Sequence, residues 1–474
     1  MSKKFSNVSQ SVLNEVSQQW DEDILPQLEA YIRIPNKSPM FDADWKEHGY
    51  MDEAMNLIQK WCEKQDIKDM KVELMSLPER TPLLFIEIPG QNDETVLIYG
   101  HMDKQPEMRG WDEDKGPWLP VYEDGKLYGR GGADDGYSIF CALSAIAALQ
   151  RHEVSHSRCV FILEASEESG SGDLPAYMEK LGSRLGSPSL IIALDAACGN
   201  YTQLWTTTSI RGMVGGTLKV RMLTQGIHSG LGGGIAGTSF GVLHALLSRL
   251  EDSQTGNILL DSCHVNIPPH RIEEAKYAAE ILGVAFLEGT PFAENVKPMS
   301  DDIAELILNN HWRPSLAITG ISGLPRVGNA GNVANPAVTA KFSLRLPPLV
   351  DPQSVGQDIK KLFEENPPFN AEVECDVMEH GPGWNAPESA PWLCEANDKA
   401  SQEFFNQPAA HMGLGGSIPF MGMLGELFPK AQFLITGVLG PKSNAHGPNE
   451  FLHIDYVKRL TGCIASVISS HFEK

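Results

Sequence analysis

TVLIYGHMDKQPE, residues 95–107, sets an unbroken apolar run of strand length directly before His101-Met102-Asp103. The run reads as a buried strand that delivers polar side chains at its end. Working outward, PLLFIEI (82–88) precedes it, while CVFILEA (159–165) and SLIIALDA (189–196) follow, with the apolar helical stretch YSIFCALSAIAALQ (137–150) in between. Strands alternating with helices in this way predict an α/β layered sheet. Ligands of such open sheets gather at the carboxyl ends of the strands. The residues just after each apolar run are therefore the candidates for chemistry.

Before this region, Val12, Leu13, Val16 and Trp20, then Ala54, Met55, Leu57 and Ile58, recur at helical spacing and predict two helices around the turn IPNKSP (34–39). The texture changes near Thr206. TTTSIRGMVGGTLKVRM (206–222) reads as a longer, half-exposed strand, followed by the helix SFGVLHALLSRLED, a polar stretch over 251–311, the strand VTAKFSLRLPP (338–348) and a helix from Asp351. A helix near 391–405, the strand AQFLITGV and a closing amphipathic helix from about residue 455 return to the earlier pattern. The expected fold is an α/β catalytic domain, a mixed sheet with helices on both faces, split into residues 1–207 and 386–474 by an inserted α+β domain over 208–385.

With 474 residues, 42% of them hydrophobic, the chain can bury a large core. Its 61 acidic against 38 basic residues give a net charge of −23, which opposes binding to nucleic acid and to anionic membrane surfaces. Eight cysteines without a CxxC pair suggest neither a disulfide framework nor a thiolate zinc site, so a reducing compartment is expected. The N-terminal residues lack the apolar core of a secretory signal, and no stretch reaches membrane-spanning length. These features predict a cytoplasmic protein.

Taken singly, the polar residues at the strand ends have ordinary readings. His101 suits a hydrogen-bonded strand end, Glu167-Glu168 a solvated turn, Asp134-Asp135 a helix cap, and Asp195 and His446 structural or loop positions. Their joint placement at strand and turn ends, in α/β order, argues instead for a shared metal site of imidazole and carboxylate ligands.

Together HMDKQPE (101–107), DGKLYGRGGADD (124–135), EASEESGSGD (164–173), the Asp195 strand, GIHSG (226–230), GGSIP (415–419) and NAHGPNE (444–450) resemble the carnosinase-type dizinc metallopeptidases. That group sits within a larger one of aminoacylases, acetylornithine deacetylases and glutamate carboxypeptidases. The likeness covers nearly the whole chain in the same order. It implies two divalent metal ions per chain, zinc with manganese or cobalt as alternatives: one held by His101 and Asp195, the other by Glu168 and His446, with Asp134 bridging. It further implies a metal-bridging hydroxide as nucleophile, Glu167 as general base, and Asp103 as the carboxylate that orients the His101 ring. His228 would reach across a dimer to stabilise the oxyanion, which makes the insertion a lid and dimerisation domain and the protein a homodimer. Arg345, Gly416 and Ser417 would grip the substrate carboxylate, with Asn332 near the oxyanion.

Two departures stand out. Gly136-Tyr137 occupies the place where the carnosinase pattern continues Lys-Gly, and Asn332 the place of a common threonine. The expected activity is hydrolysis of short unblocked peptides. The nearest rival is an N-acyl amino-acid amidohydrolase on the same scaffold, and a non-catalytic binding homologue is a third reading.

Overall fold

The computed structural model describes residues 3–416 and 419–474. Its central sheet has six strands in the order Lys71–Met75, Leu83–Ile88, Arg158–Glu164, Thr95–His101, Pro188–Ala193 and Gln432–Ile435. The last four run parallel to one another, whereas the first two pair antiparallel at one edge. The mixed α/β architecture expected from the apolar runs is therefore present.

Alternation along the Thr95–His101 strand explains why helices cover both faces. Val96 and Ile98 enter one apolar cluster with the helices Ser138–Arg151, Pro391–Phe405 and Ile454–Glu473. Leu97 and Tyr99 enter a second cluster with the helices Leu174–Leu181 and Pro419–Leu427. Because side chains alternate in a strand, a run buried on both sides must be apolar throughout. The helix Ser138–Arg151 is buried at every position from Ser138 to Leu149, since helices as well as the sheet surround it.

A second, four-stranded antiparallel sheet has the order Ser315–Ser322, Ala337–Leu346, Gly212–Arg221 and Glu372–Gly381. The helices Ser239–Leu250 and Pro352–Glu364 pack on one face of it around a core of their own that includes Val214, Leu243, Phe342 and Ile359. These strands and helices fall within the 208–385 stretch, whose polar 251–311 part contains more than a connection. It forms the helices Pro269–Leu282 and Ile303–His311, whose Ala275, Ala278, Ile307 and Leu308 join the first apolar cluster of the main body. The first of these helices buries Arg271, Ala275, Ala278 and Leu282, a stripe too small and polar to register as apolar periodicity. A short sheet also straddles both expected boundaries, with Trp205–Ile210 pairing Trp384–Asn385 on one side and Ala410–Leu414 on the other. Among the described residues, no helix is long and apolar enough to cross a membrane.

Two buried histidines make this body acid-sensitive. Burial, then the Arg211 charge, pushes His311 down to about 3. Burial, then Lys474, pushes His471 down to about 4, against the opposing pull of Glu94. Unfolded histidines titrate near about 6.5, so below that pH the unfolded chain binds protons that the folded chain refuses. Their contribution is present in full above pH ~6.5 and lost as pH falls toward about 4. Urea midpoints of chelator-treated protein should therefore drop between pH 7 and 4.5. His471→Gln, which keeps a polar group for the Ser157 and Ser189 hydroxyls, should show a shallower drop; an unchanged slope would refute the assignment.

Candidate active site

His101 is the last residue of its strand, so its ring emerges at the carboxyl edge of the sheet. The parallel neighbours on either side end beside it, bringing the Glu167-Glu168 turn and Asp195 to the same edge. His101 Nε2 lies 3.3 Å from Asp134 Oδ1 and 3.7 Å from Asp195 Oδ2. His446 Nε2, arriving from a distant loop, lies 3.0 Å from Asp134 Oδ2 and 3.3 Å from Glu168 Oε2. Asp134 thus stands between the two imidazoles with one oxygen toward each. Two overlapping groups, His101–Glu167–Asp195 and His101–Asp134–Glu168, each keep their ligand-type atoms within 4.8 Å of one another. Glu167, read from sequence as a base, is placed close enough to His101 and Asp195 to count among the ligand-type atoms as well.

Four carboxylates in so small a volume strain one another's ionisation. Burial pushes Glu167 and Glu168 well up from the usual carboxylate range, reinforced by Asp195 for Glu167 and by Asp134 for Glu168. Burial also raises Asp195, to about 6, although His101 pulls it down. Asp134 goes the other way: burial would raise it, but the two imidazoles that approach its oxygens outweigh that and hold it low. His101 Nε2 and Glu168 Oε1 are buried without a hydrogen-bond partner. An unpartnered imidazole nitrogen facing an excess of carboxylate oxygens is the donor set that divalent cations take. The residues present fit two such ions.

Asp103 does more than orient a ring. Its Oδ1 lies 3.4 Å, and its carbonyl oxygen 3.2 Å, from His101 Nδ1. The same carboxylate accepts the backbone N–H of Glu167 at 3.1 Å and of Glu168 at 3.0 Å. One buried side chain therefore positions both His101 and the acidic turn. Several contributors carried no readable signal in sequence. Glu164, within an apolar strand, accepts hydrogen bonds from Tyr99, Ser166 and Ser171 and so staples both ends of the acidic turn. Gln105 donates to Glu168 Oε2 at 2.6 Å, and Asp135 accepts the His101 backbone N–H at 3.1 Å. Asp135 and Gln105 lay inside motifs already singled out, but only proximity in space reveals what they touch.

The remaining candidates lie elsewhere in the chain. His228 and Asn332 sit on facing segments of a small exposed two-stranded antiparallel ladder, where Ser229 N–H donates to Asn332 O at 2.8 Å. Among the described residues, no hydrogen bond or ion pair joins either residue to the His101 cluster. Arg345 is half-buried on the four-stranded sheet, opposite Ser315 on one neighbouring strand and Met213 on the other. Gly416 is half-buried beyond the end of the Ala410–Leu414 strand, and Ser417 falls outside the described residues.

The Gly136-Tyr137 departure has a packing reason. A Cβ on Gly136 would lie 2.3 Å from the Tyr31 ring. That ring lies 3.8 Å beneath the Lys104 ammonium, which donates to the Tyr31 and Ile34 carbonyls at 2.7 Å each. The Tyr31 hydroxyl in turn donates to Met102 O at 2.6 Å. The space after the acidic pair is filled by this tyrosine ring and the Gly131 carbonyl, so a side chain there would force one of them to move.

A catalytic body with an acidic and imidazole-rich cluster at its sheet edge defines a metal-dependent hydrolase. The family model described as "Peptidase family M20/M25/M40" matches residues 97–470. The chain belongs to that peptidase family, whose members hydrolyse peptide bonds. It is 30% identical over 389 residues to the Beta-Ala-His dipeptidase of Homo sapiens, covering 78% of this chain and 73% of the relative. It is 29% identical over 389 residues to the cysteinylglycine-S-conjugate dipeptidase of Corynebacterium striatum, covering 78% and 79%. The crystal structure of human carnosine dipeptidase 1 superposes with a TM-score of 0.78 over all of both chains at 23% identity.

Because Gly136 meets an aromatic ring rather than solvent, Gly136→Ala should destabilise the fold by about 1–3 kcal/mol, the usual range for overpacking. Urea unfolding measures this. A stability equal to the parent's would show that the ring yields and that the packing account is wrong.

Proposed function

We propose that the protein is a dinuclear metal-dependent dipeptidase that cleaves short unblocked peptides. The observation that carries this reading is the convergence of His101, Asp134, Glu167, Glu168, Asp195 and His446 at one sheet edge, around an imidazole nitrogen that no protein group satisfies. His101 and Asp195 would hold one ion and Glu168 and His446 the other, with Asp134 between them. Nitrogen and oxygen donors without a thiolate suit zinc, with manganese or cobalt as alternatives. When bound, two such ions lower the pKa of an attacking water and polarise the scissile carbonyl.

The protein's own groups supply the proton traffic and the positioning. Glu167, raised by burial and by its acidic neighbours, takes the proton of the attacking water and passes it to the leaving amine. Asp103 keeps Glu167 and Glu168 on their turn through the two backbone N–H groups it accepts. Arg345 grips the substrate carboxylate together with the Gly416-Ser417 segment.

His228 and Asn332, both exposed, serve the active site of a second copy, where an N–H donor at each would stabilise the oxyanion. The 208–385 insertion is then a lid and dimerisation domain. Its Ser315–Ser322 edge strand, with exposed Ile318 and Ile321, supports association of two copies into a homodimer. The eight free cysteines, seven of them buried, suit the reducing cytoplasm.

Glu167→Gln should retain two metal ions per chain while lowering kcat by about 10²–10⁴-fold, the contribution of a positioned base. Metal analysis beside turnover of a dipeptide panel tests this, and full activity in the variant would exclude Glu167 as the base. The same panel extended to N-acetyl and N-succinyl amino acids decides the substrate class. Activity confined to acylated substrates would make the protein a deacylase instead. A parent protein that takes up two ions yet cleaves nothing would make it a binding homologue.

A further inference from the structure

A buried ion pair outside the cluster joins two loops that the chain delivers more than three hundred residues apart. Arg130 is 1% exposed and Glu450 fully buried. Glu450 Oε1 accepts the backbone N–H groups of Gly131 at 2.9 Å and of Ala133 and Asp134 at 3.3 Å each. Its Oε2 accepts from Arg130 Nη1 at 2.6 Å, while Arg130 Nη2 donates to Gly447 O at 2.6 Å. The Glu450 backbone carbonyl accepts the Gly129 N–H at 3.0 Å.

The geometry of the 129–134 segment explains the choice of a carboxylate. Gly131 has φ +78, a left-handed turn that points successive N–H groups at one spot and so creates a small anion-binding nest. Glu450 fills that nest, which fixes the backbone of Asp134 directly. The other side of the contact is the His446 loop. His446 is more than half exposed, and both it and Asn444 and Asn449 have positive φ, so little packing holds the ring in place. Arg130 grips this loop twice, at the Gly447 carbonyl beside the ring and at Glu450 four residues on.

We infer that Arg130 and Glu450 are a positioning pair that sets the spacing between Asp134 and His446, and with it the geometry of the second metal position. The inference rests on the two-metal reading above and adds to it two residues that touch neither ion nor substrate. Partners that orient metal ligands without binding the metal themselves contribute about 10–100-fold to affinity.

Deleting either partner would strand a buried charge and endanger folding, so the test uses close substitutions. Glu450→Gln keeps an oxygen for the nest but turns its amide N–H toward Arg130. Arg130→Lys keeps the charge but cannot span Glu450 and Gly447 together. Zinc titration by calorimetry, on protein stripped with chelator, should show two ions per chain in the parent. Both variants should keep one parent-like ion and bind the second at least tenfold more weakly. Their kcat, low at limiting zinc, should recover as zinc is raised, with KM for the peptide unchanged. A merely structural role would lower the thermal midpoint and leave both affinities as in the parent. Variants that are folded by circular dichroism and bind both ions as tightly as the parent overturn the inference. Where Glu450→Gln does not fold, Arg130→Lys decides alone. A parent that never binds two ions removes the two-metal reading, and this inference falls with it.

Discussion

Four carboxylates and two imidazoles share the edge of the central sheet, and the need to compensate their charge governs the surrounding structure. Burial favours the neutral form of each acid, and every neighbouring carboxylate adds to that pressure. Asp134 escapes it only because imidazoles approach both of its oxygens. The others stand raised, Asp195 to about 6. A cluster built this way is a poor way to stabilise a fold and an effective way to hold divalent cations.

The main body is arranged to hold that cluster rigidly. Three parallel strands, buried on both faces, end side by side, and each terminates in or just before a residue of the cluster. The polar groups behind them are anchored in turn: Asp103 by two backbone N–H groups, Glu164 by three hydroxyls, Glu450 by the nest at residues 131–134. The acids facing the site therefore rest on a second layer of buried acids, each satisfied by hydrogen-bond donors of the protein. A strand carries His101 and the first loop residues after another carry Asp195, whereas His446 comes on a loop whose hold depends on Arg130 and Glu450.

Much of this was legible in the chain. Apolar runs ending in His101, in Glu164 before Glu167-Glu168, and in Leu194 before Asp195 predict both a layered α/β sheet and the residues at its edge, because strand periodicity and the rule of carboxyl ends are local properties. Two of the four strands of the second sheet, Gly212–Arg221 and Ala337–Leu346, and its two helices were readable for the same reason, whereas Ser315–Ser322 and Glu372–Gly381 were not. The helices Pro269–Leu282 and Ile303–His311 were not either: the first packs with alanines and a buried arginine, which leave no apolar stripe, and the second buries only the short run Leu306-Ile307-Leu308 with His311. The functions of Asp135, Gln105, Glu164 and Glu450 were equally hidden, since a carboxylate or amide in a strand or motif says nothing about which N–H it will meet.

By itself, then, the sequence determined the layered α/β class, the family to which the chain belongs, and the identity of the polar side chains at the strand ends. Tertiary structure alone decided which of those side chains meet. It brought His446 to Asp134 across more than three hundred residues, left His228 and Asn332 exposed, and filled the space after the acidic pair with the Tyr31 ring. The physical reason is that strand and helix patterns are set by neighbours a few residues apart. Distances between charges are set by how whole elements pack, and hydrogen bonds between distant loops form only once that packing exists.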